Sequence, residues 1–219
     1  MAAMQQAYLI AYRKAVAALV SQDLAGAARR RGAACRGRDL QLPFFGQMVG
    51  IRVPERADGE ALFQPAELAL SEKILILHYL GWGTAAEAPG SGRLVSFQQL
   101  AGASFYEPTY RQRGPARIAR RFGEDLPAFL RAGLALGWTE ERMGDAACGG
   151  LVLPLVRCLA VLHRGDEEFP AEVNLLFSDG IARLLPLEDV AVLAGLVATR
   201  LGRAAQAPGG PGTGGPAKA

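Results

Sequence analysis

Tyr106, Glu107, Tyr110 and Arg111 lie together in the segment SFYEPTYR, and two phenols, a carboxylate and a guanidinium so grouped can orient a polar ligand. The plainer alternative is that the aromatic rings pin the segment to a core while Glu107 and Arg111 pair at the surface. Pro108, without an N–H, is expected to keep this stretch a loop rather than a helix interior. A second cluster, Asp166, Glu167 and Glu168 in RGDEEFP, with Asp179 further on in SDG, offers carboxylates for a hard cation or for acid and base work. Asp166 after Gly165 and Asp179 before Gly180 also fit turn chemistry, so both readings stand.

Arg117, Arg120 and Arg121 are spaced to share one helix face, with Arg111 and Arg113 just before them. Such a face either holds a phosphate or carboxylate or is simply solvated. His78 sits in an apolar run and His163 at the end of another, with no His or Cys at ligand spacing beside either, so both are expected to be satisfied or exposed and no metal site is expected. The cysteines, Cys35, Cys148 and Cys158, are isolated and odd in number, which suits a reducing compartment better than a disulfide framework. The chain carries no GxSxG, no HExxH, no Walker loop and no dinucleotide GxGxxG followed by a suitable acidic residue, which takes weight from the common enzyme classes and leaves the cofactor unknown.

These residues need elements to hold them. Tyr8, Leu9, Tyr12, Val16, Leu19, Val20 and Leu24 recur at three- and four-residue steps, predicting an amphipathic N-terminal helix closed by Arg29, Arg30 and Arg31 and stopped at Gly32. Residues 39–53 read as two strands joined around Gly46, with Pro43 marking an edge or bulge. A second helix is expected from Pro65 to about Trp82, a loop at EAPGSG, a short strand in RLVSFQQL, and one or two helices over 115–136. Residues 151–163, 171–177 and 181–185 read as three extended runs of an antiparallel meander, and Pro186 opens a last helix. The expected fold class is α+β: an antiparallel sheet, drawn from 39–63 and 149–185, packed by several helices in a single domain over 1–203. Residues 204–219, rich in Gly and Pro, are expected to be a disordered tail.

The totals bound the rest. With 24 basic against 21 acidic residues the net charge is +3, too small to favour a nucleic-acid or membrane-surface partner. The opening stretch has no positive charge before its apolar run, and Arg13 and Lys14 interrupt it, so it is expected to be a helix rather than a secretory signal. The apolar run over 74–80 is far short of the roughly 18–20 residues needed to span a bilayer. A soluble, cytoplasmic protein is expected.

The stretch LPLVRCLAVLHRGDEEFPAEVNLLFSDGIARLLPLEDVAVL, together with ILILHYL and GRLVSFQQLAGASFYEPTY, resembles the family described as domain of unknown function 3786, in block order and spacing from about 67 to 201. GDEEFP followed by LF-x-D is its most specific part, and the N-terminal helix its least diagnostic. The resemblance implies a setting in anaerobic bacteria or archaea, where some members carry a cysteine-rich iron–sulfur segment. This chain has no such segment, and its three separated cysteines fall below the four thiolates that a cluster normally takes. A link to anaerobic redox or corrinoid/one-carbon metabolism follows from the resemblance alone. The expected function is accessory binding of a small-molecule ligand or a protein partner. The alternatives are a small enzyme using the Tyr/Glu/Arg segment and the hairpin carboxylates, and a structural interaction module.

Overall fold

The computed structural model describes residues 2–83 and 92–206, so all of the loop expected at EAPGSG except Gly92, and nearly all of the expected tail, lie outside the described residues. The N-terminal periodicity makes two helices rather than one, α1 (Ala2–Val20) and α2 (Leu24–Arg30). The break has a local cause: Asp23 turns its carboxylate onto the Gly26 N–H at 3.1 Å and starts a new helix as its N-cap. Gly32, at φ +64°, ends it as expected. Arg31 does not close α2 at the surface. It is buried, and its guanidinium donates to the carbonyls of Tyr79 and Trp82 at the end of a later helix.

Four strands follow, β1 (Ala34–Arg36), β2 (Asp39–Phe44), β3 (Gln47–Arg52) and β4 (Leu62–Gln64), forming an antiparallel sheet in sequence order. Leu40, Leu42 and Phe44 alternate inward along β2, opposite Ile51 and Val49 of β3. Pro43 is tolerated because β1 pairs with β2 only over 39–41, leaving that side of β2 unpaired at the proline. The β2–β3 turn places two successive residues in the left-handed region, Phe45 at φ +49° and Gly46 at φ +75°. That is the sign pattern of a type I′ hairpin turn, whose first position favours Asn, Asp or Gly. A phenylalanine there costs about 1–2 kcal/mol, offset by its burial and by its N–H bond to Val152 O at 3.0 Å.

The next helix, α3 (Leu70–Gly81), starts five residues after Pro65, since Pro65 directly follows β4 and the Ala69 N–H is met by Glu72 Oε2 at 2.9 Å. The short strand in RLVSFQQL is β5 (Leu94–Ser96). SFYEPTYR is not a loop: it lies in α4 (Ala103–Arg113). Pro108 sits in the second turn, where it forfeits a single i→i−4 bond. The 115–136 stretch divides into α5 (Pro115–Phe122) and α6 (Leu126–Ala135), with Asp125 capping α6 through the Ala128 N–H at 2.8 Å.

Strands β6 (Thr139–Glu141), β7 (Ala146–Leu153), β8 (Val156–His163) and β9 (Glu172–Ser178) join β5 in a second antiparallel sheet of order β5-β9-β8-β7-β6. The run expected to be one strand over 151–163 is folded back at Pro154–Leu155, and 181–185 is helical, as α7 (Ile181–Leu184). Helix α8 (Leu187–Ala204) follows Pro186 as expected. The fold is therefore α+β with two antiparallel sheets rather than one, and a single apolar cluster contains residues from both, including Leu42, Ile51, Leu162 and Phe177.

Candidate functional site

Helix α4 carries Tyr106, Glu107, Tyr110 and Arg111, and the core claims the most chemically useful of them. Tyr110 is buried, stacks on Phe97 at 4.1 Å and 7°, and donates its hydroxyl to Leu175 O at 3.3 Å. Burial pushes its phenol pKa well up. Tyr106 is half-buried against the core, Glu107 accepts from Gln98 Nε2 at 3.2 Å, and Arg111 meets Glu172 of β9 at 3.4 Å on the surface.

The hairpin carboxylates lie in the β8–β9 connection. Asp166 Oδ1 accepts the N–H groups of Glu168 at 2.9 Å and Phe169 at 2.7 Å, while the Asp166 N–H donates to Phe169 O at 2.8 Å. The bond from Phe169, then that from Glu168, holds the carboxyl below its ordinary range. Glu167 and Glu168 are exposed. Asp179 is half-buried at the far end of β9, its N–H on Arg93 O at 3.1 Å. Seven residues of strand separate it from the hairpin, roughly 23 Å at 3.3 Å per residue, so the four carboxylates do not converge. Among the described residues no group of three or more His, Cys, Asp or Glu is placed to hold a metal ion.

What the hairpin does meet is α5. Ile118 and Phe122 face the core, which turns Arg117, Arg120 and Arg121 outward. Arg120 and Arg121 line one wall of a cleft of about 750 Å³ whose other residues include Glu124, Asp125, Asp166 and Glu167. On their other side the three arginines line a groove of about 340 Å³ against Ala198, Gly202 and Gln206 of α8 and the residues after it. Arg117 donates to the carbonyls of Arg113 and Gly195, each at 3.4 Å. Among the described residues no carboxylate lies within ion-pair distance of Arg113, Arg117, Arg120 or Arg121.

Two polar pairs escape local reading. His78 Nδ1 and Asp189 Oδ2 lie 2.6 Å apart, and Arg200 Nη2 lies 2.7 Å from Glu72 Oε1; both pairs link α3 to α8 across more than a hundred residues. No spacing in the sequence signals either. His163 is exposed at the end of β8. Burial pushes the Cys148 thiol up to about 12 and raises that of Cys158 too, which keeps both as packing groups rather than nucleophiles.

An α+β protein with open surface clefts, two of them lined by arginines of α5, is what the fold and these groups define. The family model for a domain of unknown function (DUF3786) matches residues 23–200, and the chain belongs to that family. The match begins at the N-cap of α2, so it takes in the first sheet, which the block resemblance from 67 did not reach, and leaves out α1. No curated protein and no solved structure matched. Among the described residues no helix is long and apolar enough to cross a membrane.

Proposed function

We propose that this protein is an accessory binding protein whose working surface is the α5–α8 face, serving anaerobic redox or corrinoid/one-carbon metabolism. The face takes a phosphate- or carboxylate-bearing ligand, or the acidic side chains of a protein partner. One observation carries this reading: Arg117, Arg120 and Arg121 line one side of a groove and have no carboxylate partner among the described residues. Guanidinium groups offer paired donors that match carboxylate and phosphate oxygens, and several around one groove raise the local concentration of anions. Ala198 and Gly202 leave the opposite wall low enough for a ligand to reach them. An enzyme built from Tyr106, Glu107, Tyr110 and Arg111 with the hairpin carboxylates would need both sets in one cleft. The cleft that holds Asp166 and Glu167 is lined instead by Arg120 and Arg121, which favours binding.

Isothermal titration with pyrophosphate, citrate and an acidic peptide tests the reading. At least one is expected to bind, with affinity reduced about tenfold or more by Arg120→Gln/Arg121→Gln and unchanged by Arg52→Gln on the first sheet. Absence of binding by all three, or equal affinity in the two variants, removes it.

A further inference from the structure

A different cleft, of about 560 Å³, opens where the β2–β3 turn approaches the α6–β6 connection, lined by Phe45, Gln47, Leu136, Trp138, Leu151 and Arg200 among others. Its size falls within the range of small-molecule sites. Three features adjoin it. Phe45 holds a left-handed backbone that its residue type disfavours, and strain of this kind gathers at ligand clamps. Trp138 is buried, and its indole Nε1 has no hydrogen-bond acceptor among the described residues. Arg200 has its guanidinium over the rings of Phe44 and Phe45, at 5.7 and 5.4 Å, and its Nη1 reaches Gln47 Oε1 only at 3.4 Å.

We infer that this cleft binds a planar, uncharged heteroaromatic or quinonoid molecule that carries carbonyl acceptors. Each term follows from a wall of the cleft. The half-buried Leu136 and the exposed Leu151 offer apolar surface to a flat body. The donors at hand, Arg200 Nη1 and the Gln47 amide, call for acceptors on the ligand, while the Trp138 indole N–H is shut in against Gly150 and serves as a nearby reporter. Neutrality follows from Glu72, which already balances Arg200 at 2.7 Å with both side chains largely buried, so an anion would have to compete with a carboxylate that cannot leave. The site is separate from the arginine groove and does not depend on it.

Isoalloxazines, pyrimidine nucleosides and naphthoquinones share this chemistry, so riboflavin, uridine and menadione are the probes. The chain has two tryptophans, Trp82 and Trp138, hence two indole N–H signals in a ¹H–¹⁵N spectrum of the full chain, assigned with Trp82→Phe. One probe is expected to move the Trp138 signal saturably, with a Kd below about 1 mM, while the Trp82 signal stays. Leu151→Arg, at an exposed position that does not threaten folding, is expected to weaken that response tenfold or more. The responding probe names the source of the chemistry. No response to any of the three, an equal response to all three, or a response that survives Leu151→Arg overturns the proposal.

Discussion

Asp166 shows how a side chain chosen for its chemistry can be occupied by its own turn. Two backbone N–H groups converge on one carboxylate oxygen, and the charge is worth most where it accepts them. Its pKa is lowered from the ordinary 3.8, so the stability its charge confers is complete above that value and is lost as pH falls through the lower, folded value. Asp166→Asn is therefore expected to unfold at lower denaturant than wild type at pH 7 and pH 5 by the same margin, with the gap closing below pH 3.8. Denaturation curves at three pH values measure it. Equal or greater stability of the asparagine variant at pH 7 would instead mark a carboxylate crowded for an absent ligand. Turn and site readings of Asp166 were both legible in RGDEEFP, because the turn is local. The partners of His78 and Glu72 were not, because a contact across more than a hundred residues leaves no trace in spacing.

At the scale of elements, α3 and α8 are tied at both ends. Glu72 near the start of α3 meets Arg200 near the end of α8, and His78 near the end of α3 meets Asp189 in the first turn of α8, which fixes the two helices antiparallel. The Glu72–Arg200 pair is largely buried, so removing one partner strands a charge. Arg200→Met, which keeps the apolar stem over Phe44 and Phe45, is expected to cost about 3–5 kcal/mol. Adding Glu72→Gln, which can still accept the Ala69 N–H, should restore about 1–2 kcal/mol of that loss. A double-mutant cycle by denaturant unfolding measures the coupling, and strictly additive losses would refute it. Elements with a full period were readable: the two strands joined around Gly46, the last helix opened by Pro186, and the shared arginine face of α5. The three-residue strands β1, β4 and β6 carry no period to read, IARLL is too short to separate strand from helix, and Pro108 misled because a proline in the second turn removes only one bond.

For the whole molecule, the sequence pointed to one sheet because antiparallel strands joined by short turns read alike whether or not they share a sheet. The partition into two is set by the 62–94 stretch, where α3 carries the chain from the edge of the first sheet to that of the second. The sheets nonetheless share one apolar cluster and a direct backbone bond, Phe45 N–H to Val152 O at 3.0 Å. A shared core makes each sheet's packing a condition for the other's, so the two are expected to unfold in one transition. Leu42→Ala in β2 and Leu162→Ala in β8 remove fully buried side chains from that cluster, and each is expected to cost about 2–5 kcal/mol. The decisive measurement is native-state hydrogen exchange at one amide in each sheet, Leu42 and Leu162, in both variants. If the sheets form one cooperative unit, each substitution lowers the protection of both amides by the same free energy. If Leu42→Ala loosens only the first sheet, and Leu162→Ala only the second, the two sheets fold separately and the cluster between them is contact without cooperation.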